Sequence, residues 1–220
     1  MNNEPIGQYN EAVSPSDAVK QVAEADFPTR WGHFRILGFA GKVGVDRRAE
    51  EAVALVMGEV ISAKTAPLVR IHSQCLTGDV FGSLRCDCRQ QLEMALSMIA
   101  SAGNGILVYE QKEGRGIGLM AKLQAYGLQD QGLDTVEANE KLGFKADHRE
   151  FEMPALVLRQ LGVKRIRLLS NNPQKVAAME AAGIKVVERV PAEVEAHAQS
   201  AKYMKTKKEK LGHLFGKPGK

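Results

Sequence analysis

Long hydrophobic runs, aromatic side chains and pairable cysteines are all scarce in this chain, and each shortage excludes something. No apolar stretch approaches the ~20 residues that a bilayer-spanning helix needs, and Met1–Lys20 is polar with no signal-peptide core. A cytoplasmic protein without a membrane partner is therefore expected. Aromatic residues make up 5% of the sequence and are not interleaved with basic ones, so a platform for stacking single-stranded nucleic acid has little support. Cysteine occurs three times, all between Cys75 and Cys88, an odd and clustered set that makes a poor disulfide framework. Net charge is only +4, and it is unevenly spread: Lys202–Lys220 holds seven lysines against one glutamate, a surplus of six, which leaves the rest of the chain at −2. The basicity belongs to a tail, read as a solvated helix with a frayed end, and no nucleic-acid partner is expected.

What is present is an ordinary globular composition, 44% hydrophobic and 25% charged over 220 residues. That is enough for one domain whose core needs no disulfide or structural metal. Residues 1–25 read as a flexible extension, 26–214 as one folded unit and 215–220 as a basic end. Apolar runs at His33–Phe39, Val53–Ile61, Leu68–His72 and Ile106–Tyr109 read as strands. Leu92, Leu96 and Ile99 recur at helical spacing over Cys88–Ala102, with Gly103 as the stop. A second helix carries Leu119, Leu123 and Tyr126. Helices at Thr135–Leu142, Met153–Leu161 and Pro173–Ala182 then alternate with strands at Arg165–Leu169 and Ile184–Arg189. That order predicts an α/β fold in three layers, a mixed and partly parallel sheet covered by helices. Ligands of such sheets bind beyond the carboxyl ends of the strands, which directs attention to the segments after Ile71, Tyr109 and Leu169.

Those segments carry the candidate chemistry. Cys75, Cys86 and Cys88 form C-x10-C-x-C, flanked by Arg85, Asp87 and Arg89, which is not core sequence. Three thiolates match a catalytic zinc with an open position; a closed structural site would need a fourth ligand, and His72 is near enough in sequence to supply one. Glu113-Gly-Arg-Gly-Ile-Gly118 lies between a strand and a helix, where backbone amides could cradle an anion. It matches neither the P-loop nor the dinucleotide fingerprint. Within it Arg115 could grip phosphate bidentately and Glu113 could accept paired N–H donors from a guanine edge. Arg70, Arg85, Lys112, Arg149 and Lys175 recur at the predicted strand ends, and a polyphosphate needs several converging cations. Asp147-His148-Arg149 puts a base, a possible proton shuttle and a phosphate binder within three residues, although by these residues alone a surface turn after Gly143 is the favoured reading. His33, His197 and His213 show no partner pattern and read as solvated.

Taken together, Arg70-Ile-His-Ser-Gln-Cys-Leu-Thr-Gly-Asp79, Ser83-Leu-Arg-Cys-Asp-Cys88, Glu113–Gly118, Asp134-Thr-Val-Glu-Ala-Asn139 and Leu168-Leu-Ser-Asn-Asn-Pro173 resemble GTP cyclohydrolase II from about Phe27 to Leu214. The resemblance implies hydrolysis of GTP to formate, pyrophosphate and a diaminopyrimidinone ribosyl phosphate in riboflavin synthesis, with zinc and magnesium, by a homodimer. It implies zinc on Cys75, Cys86 and Cys88. It implies nucleotide contacts from Arg70, Ile71, His72, Ser73, Gln74, Gln91, Glu113, Gly114, Arg115, Thr135, Ser170 and Lys175. Asp147 takes the family's proton-acceptor position, Arg149 its nucleophile position, and Tyr126 a position near the opened ring. Two residues depart from the common pattern: Gln74 stands where many members have Glu, and Ser170 where Thr is frequent. Three thiolates make zinc a weaker Lewis acid than a three-histidine set, so proton handling by Asp147 and Tyr126 is expected to matter. A guanidinium keeps its proton at neutral pH and has no free lone pair, so Arg149 is read as stabilising charge unless Asp147 deprotonates it. Some members carry a fused dihydroxybutanone-phosphate synthase domain, for which 220 residues leave no room. A GTP-binding regulator without turnover, a cyclohydrolase that retains the formyl group and a zinc-stabilised nucleic-acid module are the rival readings.

Overall fold

Apolar residues recurring with a period of two build the sheet and divide its two faces. In β4 (Leu68–Ser73), Val69 and Ile71 enter one apolar cluster and Leu68 the other, so Arg70 and His72 share the face of Leu68. β5 (Gly105–Glu110) does the same with Ile106 and Val108 against Leu107 and Tyr109. The structure, a computed structural model, describes residues 18–61, 66–145, 147–195 and 198–215.

Seven strands form one sheet in the order β1-β2-β3-β5-β4-β6-β7. β1 (Val19–Thr29), β2 (Gly32–Val43) and β3 (Arg48–Met57) make an antiparallel meander, and β3 pairs antiparallel with β5. β5, β4, β6 (Arg165–Leu169) and β7 (Lys185–Val190) run parallel. α2 (Cys88–Ala102) covers one face through Ala95, Leu96 and Ile99. α5 (Glu152–Gln160) and α6 (Pro173–Ala181) cover the other through Met153, Val157, Leu158 and Met179. The expected three-layer α/β arrangement is therefore present. α1 (Leu76–Asp79), α3 (Leu119–Asp130), α4 (Thr135–Lys141) and α7 (Ala201–Glu209) complete the helices.

Local signals set most boundaries. Gly103 ends α2 in the left-handed conformation, Asp134 caps α4 through a capping box, and Asn172 caps α6 with Pro173 at its first position. Three expectations are corrected. Val19–Ala25, assigned to the extension, form the first part of β1, an edge strand with one buried residue among its first seven and hence no apolar alternation to read. The strand expected over Val53–Ile61 lies at Arg48–Met57, because the hairpin pairs Arg48 with Val43 and left-handed Gly58 ends it. The lysine-rich segment is not simply solvated: Lys207 is buried. Residues 1–17, His197 and residues 216–220 lie outside the described part.

Candidate active site

The carboxyl ends of β4, β5 and β6 open on one cleft, because parallel strands deliver their carboxyl termini to the same edge. β4 leads into Cys75, which stands at the N-terminus of α1, while Cys88 opens α2 and Cys86 lies just before its N-cap residue Asp87. The three sulfurs lie within 4.8 Å of one another, with Cys75 and Cys86 3.7 Å apart, and none is in a disulfide. Zinc bound at about 2.3 Å per thiolate in a tetrahedron sets its sulfurs about 3.8 Å apart. Gly78 forms the floor: a Cβ there would come within 2.9 Å of Cys86 Sγ and 3.1 Å of Cys75 Sγ. Hydrogen bonds from the Cys86 and Cys88 thiols draw the Cys75 thiol well below the usual range, whereas Cys86 is pushed up to about 11 by Cys75, and Cys88 upward by the same neighbour. A soft divalent cation bound by the three sulfurs would displace the protons they carry. Donor set, spacing and cradle all fit zinc. His72 is not a fourth ligand; its Nε2 lies 3.2 Å from both oxygens of Asp79, which also accepts from Tyr109 Oη and from the amide of Cys75.

The glycine-rich turn after β5 closes one side. Gly114, Arg115, Gly116 and Gly118 all have positive φ, and Arg115, at +61°, adopts a conformation that costs a side-chain-bearing residue about 1–2 kcal/mol. This strained turn holds the Arg115 guanidinium with both terminal nitrogens buried and unpartnered, as are Arg70 Nε and His72 Nδ1. Buried donors in that state are what a bound anionic ligand would satisfy. The amide of His148 donates to Arg115 O, tying the turn to the 147–149 segment. There Arg149 Nε donates to Asp147 Oδ1 at 2.8 Å, a second guanidinium nitrogen pairs with Oδ2, and Nη1 reaches Ser73 Oγ at 3.3 Å. Burial lowers the proton affinity of Arg149, but Asp147 outweighs it and holds the guanidinium charged. Lys175 Nζ donates to Ile71 O at 2.8 Å, and burial together with Arg70 and Arg149 pushes its pKa well below normal. Arg70 bridges Leu169 O and Gln91 Oε1.

Most of the expected residues therefore meet here. Arg70, His72, Ser73, Gln74 and Gln91 line the cleft, as do Glu113, Gly114, Arg115, Tyr126 and Thr135, and Arg149, Ser170 and Lys175. Ile71 does not: its side chain sits in the core on the opposite face, and only its carbonyl reaches inward. Asp147 does not line the cleft either; it stands behind Arg149 and pairs with its guanidinium. Glu113 is only partly free for a base, since its carboxylate already accepts from Leu76 N, Gly114 N and Lys122 Nζ, three of its about four acceptor sites. Lys122, Asn139, Tyr203, Lys207 and His213 also line the cleft and were not singled out for it. His213 is not solvated; burial and the nearby cations Lys207, Arg115, Arg149 and Lys175 push it down to about 3. Lys122 had a signal, as a lysine four residues before Tyr126 on the same helix face.

A family model described as GTP cyclohydrolase II matches residues 20–191. The chain is 55% identical over 198 residues to the GTP cyclohydrolase-2 of Buchnera aphidicola subsp. Schizaphis graminum, covering 90% of this chain and 98% of that one. It is 53% identical over 199 residues to the GTP cyclohydrolase-2 of Escherichia fergusonii, with the same coverage. It also matches the riboflavin biosynthesis protein RibBA of Aquifex aeolicus at 52% identity, covering 90% of this chain and 48% of that protein. These matches place the chain in the GTP cyclohydrolase II family.

Proposed function

We propose that this protein hydrolyses GTP with zinc on Cys75, Cys86 and Cys88, opening the guanine imidazole ring and releasing formate and pyrophosphate. The product is 2,5-diamino-6-(5-phosphoribosylamino)pyrimidin-4(3H)-one, and the reaction opens riboflavin biosynthesis. The observation that carries this reading is the sulfur trio beside unpartnered cationic nitrogens in one cleft. When bound, zinc supplies activation of water for attack at C8 of the purine.

The chain's own residues do the rest. Arg115, Arg149 and Lys175 converge on the anionic end, and an anion there favours the charged form of Lys175 that burial and the neighbouring arginines disfavour. Magnesium on the polyphosphate adds to that neutralisation. Asp147 keeps Arg149 oriented and charged, so Arg149 acts electrostatically rather than by attack. Burial keeps the Tyr126 phenol protonated, and its hydroxyl, 3.1 Å from Thr77 Oγ1, is placed to hand a proton to the opening ring. Thr135 and Ser170 supply hydroxyls, while Gln74 offers an amide where a carboxylate is common. Glu113 keeps one acceptor site for the base beside those used internally. A homodimer in the cytoplasm, with 26–214 as its single catalytic unit, completes the proposal.

Incubation with GTP followed by quantification of formate and pyrophosphate tests it, with Cys86→Ser as the partner experiment. The wild type should release both products, and the variant should lose bound zinc and formate release together. An active, metal-free variant overturns the metal mechanism; a formylated product overturns the complete reaction.

A further inference from the structure

Lys122 is buried at 9% exposure, belongs to no group discussed so far as reacting with substrate, and has all three ammonium donors committed. Nζ lies 3.1 Å from Cys75 Sγ, 2.9 Å from Thr77 Oγ1 and 2.7 Å from Glu113 Oε1. Its aliphatic stem is pinned by the glycine-rich turn, where a Cβ on Gly114 would come within 3.2 Å of Lys122 Cβ. The ammonium therefore has one orientation, fixed by the ends of two different strands.

We propose that Lys122 is a positioning residue of the metal centre, donating a hydrogen bond to the Cys75 sulfur and balancing the surplus charge of a three-thiolate site. The proposal rests on the metal reading above. A divalent ion with three thiolates carries one net negative charge, and an unbalanced buried charge is costly. A fixed ammonium beside one sulfur offsets that charge where it is densest, while the same ammonium also pairs with the Glu113 carboxylate. Its hydrogen bond also withdraws electron density from that sulfur, so the ion keeps more of its positive character, as outer hydrogen bonds do at other thiolate centres. Lys122 thereby offsets the weakness of sulfur donors as partners for a hydrolytic metal. Because it also holds Glu113, it couples the metal side of the cleft to the glycine-rich turn.

The test uses the full chain loaded with cobalt(II), whose thiolate-to-metal charge-transfer band reports the donor strength of the sulfurs. In Lys122→Met the band should move to lower energy, and with zinc the kcat for formate release should fall about 10- to 100-fold with KM little changed. Lys122→Arg, which keeps the charge and an N–H donor, should restore the band position. If Lys122→Met does not fold, Lys122→Gln serves, with an intermediate shift expected. A band in either neutral variant at the wild-type position overturns the role of Lys122. A wild type that takes up neither cobalt nor zinc overturns the metal reading instead, so the two failures are distinguishable.

Discussion

Gly78 shows how little space surrounds the sulfur trio. A methyl group at that position would press on Cys86 Sγ, Cys75 Sγ and Cys88 Cβ at once. Gly78→Ala should therefore leave the fold intact and weaken metal binding about 10- to 100-fold, read by competition with a chelator. Unchanged affinity would mean that the cradle does not shape the site. Asp147 gives a second single-residue test. Burial alone would raise its carboxyl, but the Arg149 guanidinium outweighs burial and holds it below the ordinary value. A carboxyl depressed in the folded state contributes stability that is present above its unfolded pKa of about 4 and is lost as pH falls through the folded value. Urea unfolding from pH 7 to 3 should show a flatter acid limb in Asp147→Asn than in the wild type. At neutral pH that variant should lose about 3–5 kcal/mol, because Arg149 stays buried without its partner. Parallel curves would contradict the pairing. The cysteines were legible as residue types in an unusual setting, whereas Asp147 and Arg149 read on their own as a surface turn and were singled out only by the family resemblance. The internal commitment of Glu113 was not, because its partner Lys122 lies nine residues away on a helix whose other residues read only as a packing stripe.

Among the elements, α7 departs furthest from what the sequence suggested. Its lysines look like a solvated run, yet Lys207 Nζ meets Asp87 Oδ1 at 2.5 Å, and Asp87, fully buried, sits between two of the sulfur residues. Asp87 Oδ2 accepts from Gln91, which in turn accepts from Arg70, so the C-terminal helix is wired to the cleft. Composition averages seven lysines together and hides that Lys207 turns inward. Lys210, by contrast, pairs with Asp134 and Glu137 at 40% side-chain exposure. The two lysines should separate on replacement by methionine: about 3–5 kcal/mol lost for Lys207, which leaves a buried carboxylate, and far less for the exposed Lys210. Chemical denaturation measures both, and equal losses would contradict the difference in burial. Helices and central strands were readable because caps, glycine stops and apolar periodicity agree there. β1 was not, because an edge strand with one face open to water carries little of that pattern.

At the scale of the whole molecule, topology does what no single motif does. Parallel pairing of β5, β4 and β6 brings Cys75, Arg115 and Ser170, far apart in sequence, to one edge of the sheet. The alternation of strands and helices made that edge foreseeable. The inward turn of Tyr203, Lys207 and His213 was not, since it depends on a contact between α7 and the start of α2 made over more than a hundred residues of chain. The central claim is a three-sulfur metal centre with one position left for water. X-ray absorption at the zinc edge of the purified protein, with and without GTP, tests it most directly. The account predicts three sulfurs at about 2.3 Å and one lighter donor at about 2.0 Å. A metal-free protein, or four ligands all from protein side chains in the presence of nucleotide, would contradict it.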